Sequence, residues 1–182
     1  MTLSIIICSY NRASYISDAL TSLYGQSSGL DDFEVIIVDN NSTDNTKEVY
    51  AQWRQTNTNG QFTFISETQQ GASFARNTGA AIAKGEWVCF MDDDAVATTD
   101  YVKNIIKHIQ DQPFIVGFGG RIIPKYIPAE PKWMSYYVSS LVGNFDYAPT
   151  ACAFENGKYP LESNMIVKKS VYDQIGGFNV NL

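Results

Sequence analysis

Three consecutive carboxylates, Asp92, Asp93 and Asp94, follow directly on the apolar run Trp87-Val88-Cys89-Phe90-Met91. A short aromatic-rich run of this kind reads as a buried strand. The acids therefore stand at its carboxyl end, the edge at which open α/β sheets bind ligands. Adjacent carboxylates repel one another, and partial burial penalises each charge. A hard divalent cation, Mn²⁺ or Mg²⁺, relieves both costs and then recruits phosphate. The competing reading is a solvated acidic turn.

Two further polar turns have residue types suited to a nucleotide. Ser9-Tyr10-Asn11-Arg12 follows the apolar run Leu3–Cys8. Tyr10 can stack on a base or pack on a ribose, and Arg12 can approach phosphate or stand as a surface charge. The backbone N–H groups of a helix start there suit an anion. Asp39 ends the run Phe33–Val38. An ionised carboxylate only accepts hydrogen bonds, so Asp39 suits the ring N–H of uracil, thymine or guanine, or else caps its own turn with Asn41 and Ser42. Arg76 and Asn77 come early in a helical segment after Gly71. Arg76 either reaches the nucleotide or is solvated.

These turns need a scaffold, and the hydropathy pattern supplies one. Strands are expected at Leu3–Cys8, Phe33–Val38, Phe62–Ser66, Trp87–Met91 and Phe114–Gly119, with helices over about 13–24, 44–55, 72–84 and 102–109. Alternating strands and helices imply a Rossmann-like α/β sandwich with a mostly parallel sheet and helices on both faces. After Arg121 the texture changes: prolines at 124, 128, 131, 149 and 160 interrupt an aromatic-rich stretch containing Trp133, Tyr136, Tyr137, Phe145 and Tyr147. That stretch is expected to be a lid, an acceptor surface or an extra layer, or else a hydrophobic flap covering the sheet edge. His108 is expected on the polar side of its helix without a partner. Gly117-Phe118-Gly119-Gly120 lacks GxGxxG spacing and is not read as a dinucleotide loop.

The chain has 182 residues, 45% of them hydrophobic and 18% charged, with a net charge of −6. That is enough for one domain with a substantial core, and the acidity argues against a nucleic-acid binder. Cys8, Cys89 and Cys152 form neither a CxxC pair nor an even set, so free thiols in a reducing cytoplasm are expected. No run approaches the ~18 apolar residues of a membrane helix, and no signal peptide is evident. A soluble cytoplasmic protein is expected, with association at the inner face of the membrane left open.

Taken in order, Ser4–Arg12 (SIIICSYNR), Val38–Thr46 (VDNNSTDNT), Gly71–Gly79 (GASFARNTG), Phe90–Asp94 (FMDDD) and Ser163–Lys169 followed by Gly176-Gly177-Phe178 resemble the family 2 glycosyltransferases, which have the GT-A fold. The resemblance covers essentially the whole chain. It implies inverting transfer of a sugar from a nucleotide-sugar donor, expected to be UDP-linked, to a hydroxyl of a carbohydrate or lipid-linked acceptor. It implies that Ser9, Tyr10 and Arg12 lie in the first nucleotide loop, that Asp39 binds the base, and that Arg76 is the arginine of an ARN element. Asp92-Asp93-Asp94 matches the DxD motif, with Asp92 facing ribose and metal and Asp94 the main ligand of Mn²⁺ or Mg²⁺. Glu162 and Asn164 fall on the acceptor side, Glu162 lining the acceptor pocket or standing as a surface carboxylate. Residues 1–120 then form the donor part and 121–182 an acceptor-side part of one domain. Inverting transfer needs a base. The family's Glu-Asp pair lies beyond the GGF element, whereas this chain stops at Leu182, so a truncated catalytic domain is expected. Asp146, Glu155 and Glu162 do not match that pair. The alternatives are a non-catalytic nucleotide-sugar-binding module and a sugar-1-phosphate nucleotidyltransferase. The latter needs a glycine-rich first loop, which Ser9–Arg12 lacks.

Overall fold

Continuous apolar strands and amphipathic helices of this spacing can bury themselves only by layering. The computed structural model, which describes residues 1–155 and 157–181, shows that arrangement. The elements are β1 (Leu3–Ser9), α1 (Ile16–Tyr24), β2 (Phe33–Asp39), α2 (Thr46–Thr56), β3 (Gln61–Ser66), α3 (Ala72–Ile82), β4 (Trp87–Asp92), α4 (Tyr101–Asp111), β5 (Gly117–Gly119), α5 (Tyr136–Ser139), β6 (Asn164–Lys168) and α6 (Lys169–Gln174). They form one six-stranded sheet in the order β3-β2-β1-β4-β6-β5. β1 to β4 pair in parallel, and β6 runs antiparallel between β4 and β5. The fold is the mixed α/β sandwich expected.

Both faces of the sheet are covered, which is why β1 and β2 are apolar along almost their whole length. On one face Ile5, Ile7, Val35, Ile37, Cys89 and Met91 pack with Leu20, Leu23, Trp53 and Val102 from α1, α2 and α4. On the other, Ile6, Ile36, Val38 and Phe90 pack with Ala75 and Ala80 of α3 and Tyr172 of α6. Helix α3 lies unusually close to β1. A Cβ on Gly79 would sit 2.5 Å from Ile6 Cγ2 and 3.1 Å from Val38 Cγ2.

Register aligns the carboxyl ends of three strands. Ser9 pairs with Asp39 and Cys8 with Asp92, so the turns after β1, β2 and β4 open on one edge. That convergence follows from parallel pairing of strands of similar length.

Some expectations need correction. The strand expected at Phe114–Gly119 is only Gly117–Gly119, because Ile115 N–H bonds to Gln112 O in a turn and Phe114 is exposed. The first helix begins at Ile16, after a turn in which the N–H groups of Tyr15 and Ile16 bond to Arg12 O. His108 is half-buried, with its ring edge-on to Phe118 at 4.7 Å between centroids, so it does have a partner. Among the aromatics after Arg121, the side chain of Tyr136 lies outside the described set, as does Leu182. No helix among the described residues is long and apolar enough to cross a membrane.

Candidate active site

The turns after β1 and β2 are joined by side-chain hydrogen bonds. Asn11 holds a left-handed φ of 55°, tolerable for Asn. Its Oδ1 accepts the N–H of Thr43 at 2.7 Å and of Asp44 at 3.2 Å. In return, Ser42 Oγ accepts Asn11 N–H, and Thr46 Oγ1 accepts Arg12 N–H. The Asp44 carboxylate accepts the hydroxyl and N–H of Thr46 and the N–H of Ala13. These bonds, the Thr46 hydroxyl foremost, pull its pKa down.

Asp39 is buried, and its Oδ1 accepts Ser42 N–H at 3.3 Å, which caps the turn. Asn40 beside it joins two loops. Its Nδ2 donates to Glu67 O and Gln69 O, its Oδ1 accepts Gly71 N–H, and its N–H donates to Ser9 O. The start of α3 is thereby fixed to the end of β2.

Arg76, one turn into α3, lies over the Phe178 ring at 5.1 Å. Asn77 secures that ring. Its Oδ1 accepts the Tyr172 hydroxyl and Phe178 N–H, and its Nδ2 donates to Phe178 O. Gly177 must be glycine-like here: its φ is 73°, and a Cβ would lie 2.6 Å from Asn77 Oδ1.

These elements enclose a cavity of about 330 Å³ at the sheet edge. Tyr10, Arg12 and Arg76 line it together with all three carboxylates of the run. Cys8 and Glu162 complete its polar wall. Ser9 and Asp39 do not line it; both are buried and pair across β1 and β2. Asn164 does not line the cavity either: it is buried, and both of its side-chain polar atoms bond to protein. A larger cavity of about 770 Å³ opens beside β5, among His108, Phe118, Arg121, Phe145 and Phe154. No carboxylate among the described residues lines it, so the candidate chemistry belongs to the smaller one.

Electrostatics in the smaller cavity are unbalanced. Asp93 is buried, and burial pushes its carboxyl up to about 6, with Asp94 and Asp92 adding to the rise and Ser9 and Arg12 opposing it. The Arg12 pair is long, at 3.9 Å. Ser9 Oγ is, among the described residues, a buried oxygen without a well-formed hydrogen bond, although it lies near enough to Asp93 to favour its charge. Asp92 is reachable from solvent, yet the surrounding walls raise its carboxyl, mainly by burial and then by the charge of Asp94. Glu162 adds to that rise, and Arg76 and Arg12 oppose it. Cys8, by contrast, is pushed up to about 12 by burial and stays a thiol.

A carboxylate excess of this kind fits a divalent cation. Among the described residues no three His, Cys, Asp or Glu side chains form a ready-made cage. A metal here would take one or two carboxylates and fill its remaining positions with phosphate oxygens and water, the usual habit of Mg²⁺.

The family described as Glycosyl transferase family 2 matches residues 4–176. The chain belongs to this family. It is 36% identical over 185 residues to an uncharacterized glycosyltransferase of Haemophilus influenzae, covering 99% of this chain and 57% of that protein. It is 24% identical over 183 residues to the glucosyl-dolichyl phosphate glucuronosyltransferase of Haloferax volcanii, covering 100% of this chain and 57% of the relative. The chain thus spans a little over half the length of these two relatives. Among solved structures, the mannosyltransferase PcManGT of Pyrobaculum calidifontis, in complex with GDP-Man and Mn²⁺, superposes with a TM-score of 0.73 at 23% identity, over 99% of this chain and 48% of that one. S. aureus TarS 1–349 in complex with UDP-GlcNAc gives 0.65 at 21%, over 96% and 47%. These likenesses show a shared fold.

Within this family 2 chain, Asn11, Asn40 and Asn77 were not picked out as site residues from the sequence. Each is a short amide that joins two segments distant in sequence. Their only sequence signal is an Asn in a polar turn or beside an Arg, which is also what an ordinary turn or helix surface looks like.

Proposed function

We propose that this chain carries the donor site of a metal-dependent, inverting sugar transferase acting on a nucleotide-diphosphate sugar, with a UDP-sugar as the expected donor. The observation that carries this reading is the carboxylate run at the end of β4, which lines one cavity together with Arg12 and Arg76 at the sheet edge where β2 ends in Asp39. Residues 1–120 serve as the donor part and 121–182 as the acceptor side. Asp94 is assigned as the main ligand of Mn²⁺ or Mg²⁺, with Asp92 between metal and ribose. Asp93 and Arg12, 3.9 Å apart, are assigned to donor binding. Asp39 is assigned to the base, Tyr10 and Ser9 to the first nucleotide loop, and Arg76 to the diphosphate. Solved relatives of the same fold in complex with GDP-Man and Mn²⁺ or with UDP-GlcNAc support this class of donor.

When bound, the cation neutralises negative charge developing on the departing nucleotide. The chain's own residues bind and orient. Phe178 holds the Arg76 guanidinium at the cavity wall, and the amide-linked turns hold Tyr10 and Asp39 at fixed spacing. Glu162 is the one further described acid in the cavity wall and is assigned to the acceptor side. A carbohydrate or lipid-linked acceptor, met in the cytoplasm at the inner face of a membrane, agrees with the exposed Ile127, Trp133 and Leu141.

Incubation with UDP-, GDP- and dTDP-sugars, an acceptor panel and Mn²⁺, read by NMR of the new anomeric centre, tests the proposal. Inverted product formed only with metal is expected once a catalytic base is supplied, and metal-dependent donor binding without transfer is expected where it is not. Metal-independent transfer, or retention of configuration, would overturn it.

A further inference from the structure

Asn164 is buried at the start of β6, and its side chain connects three segments that are far apart in sequence. Its Oδ1 accepts the Tyr101 hydroxyl at 2.6 Å, and its Nδ2 donates to Arg121 O at 3.2 Å. Its own carbonyl accepts Gly120 N–H, and its N–H donates to Leu161 O, closing the turn that contains Glu162. In the sheet it lies opposite Met91, the residue just before Asp92.

The carboxylate-bearing loop therefore leaves β4 beside Asn164 and enters α4 at a tyrosine bonded to Asn164. Asn164 thus meets both ends of residues 92–100, whose second half is also bonded to Ser22, Gln26 and Ser27. Asn164 also fixes the Glu162 turn and the backbone at Gly120–Arg121, where the acceptor-side part begins. The fit is close: a Cβ on Gly120 would lie 2.5 Å from Asn164 Nδ2. Tyr101 is partly buried, and its hydroxyl also meets Cys89 Sγ at 3.2 Å. Burial holds that hydroxyl in its protonated, donating form. A buried polar link costs stability when half-broken, so its completeness here points to a demand for geometry.

We propose that Asn164, acting through Tyr101, is a positioning residue that sets the carboxylate loop, the Glu162 turn and the Arg121 segment at fixed distances around the metal-binding end of the cavity. The consequence for function rests on the donor-site reading; the consequence for loop order does not.

Tyr101→Phe removes the hydroxyl while keeping the ring, and Gly120→Ala presses on Asn164 from the other side. Two readouts are needed: UDP affinity with and without Mn²⁺, and amide hydrogen exchange across residues 93–100. In Tyr101→Phe, metal-dependent UDP affinity should fall about tenfold, the size of one lost hydrogen bond. Metal-free affinity should stay unchanged, and amides 93–100 should exchange about tenfold faster while those of β1 and β2 do not. Gly120→Ala should behave alike. Ser27→Ala, which removes a different bond near the start of α4, to Asp100, should leave UDP affinity unchanged. Equal loss of metal-free and metal-dependent binding, or unchanged exchange in both variants, would overturn the proposal. If wild type binds no nucleotide, the donor-site reading fails, and the exchange readout alone decides the positioning role.

Discussion

The turns of residues 1–120 and the stretch from Arg121 to Pro160 handle their polar and apolar groups in opposite ways. In the first, polar groups are bonded between segments distant in sequence, some exposed and some buried: Asn11 to Thr43, Asn40 to Gly71, and the buried Ser4 Oγ to Glu34 at 2.7 Å. In the second, Ile123, Ile127, Trp133 and Leu141 are exposed, at 69%, 81%, 73% and 83%. Local ties there include the Ile122–Phe145 bridge, the Arg121–Asp146 ion pair and the Phe145–Tyr147–Phe154 ring cluster. A site that must hold a small charged ligand gains from groups fixed in advance. A surface that meets a larger acceptor can leave apolar groups open. On the proposed reading, the chain joins a preset donor side to a more open acceptor side.

The sharpest way to break this contrast is Asp94→Ala. Loss of a metal ligand should weaken Mn²⁺-dependent nucleotide binding by about 100-fold or more, since metal charge stabilisation is worth several kcal/mol. Retained binding would make the run an acidic turn and leave the donor side without its defining feature.

A smaller effect tests the packing beneath the site. Gly79→Ala should cost about 1–3 kcal/mol in urea unfolding, because overpacking against Ile6 forces α3 off the sheet. Melting that left the protein as stable as wild type would mean α3 is not held tightly against β1.

Next is the pH dependence at Asp93. Its carboxyl titrates near 6 in the fold, against about 3.9 in an unfolded chain. A raised carboxyl favours the folded state most below pH ~4, and that gain is lost as pH rises through about 6. Asp93→Asn should therefore be more stable than wild type at pH 7.5 by roughly 1–2 kcal/mol after solvent screening. The difference should shrink toward pH 4 and also on adding Mn²⁺. An advantage independent of pH would mean that Asp93 is not charged against its surroundings.

The smallest change is expected on the open side. Trp133→Ser should shift stability by less than about 0.5 kcal/mol, despite removing an indole. A cost comparable to Gly79→Ala would show that the acceptor-side part is packed like the donor side, and the contrast between them would disappear.

Much of the donor side was legible because its signals are local. Apolar runs ending in polar turns located β1, β2 and β4 to within a residue, and parallel pairing then brought Asp39 and Asp92 to one edge. The acceptor side was less legible because its contacts are distant. β6 follows a proline-broken stretch and is identified by its pairing with β4 and β5, which hydropathy does not show. The overlong strand at Phe114–Gly119 has the same origin: Phe114-Ile115-Val116 is apolar enough for a strand, yet a turn off α4 claims it. His108 looked solitary because Phe118 meets it only once β5 is in place. Asn164 fell on the acceptor side by resemblance, whereas its buried bonds to Tyr101 and Arg121 depend on side-chain contacts that spacing cannot encode.

The most direct test of the donor site is calorimetric titration of wild type and Asp94→Ala with UDP, GDP and dTDP, each with and without Mn²⁺. Binding of UDP that Mn²⁺ tightens, with that gain lost in Asp94→Ala, is the expected result. Absence of binding by all three nucleotides with metal present, or equal binding by the two proteins, would contradict a metal-nucleotide site at the end of β4.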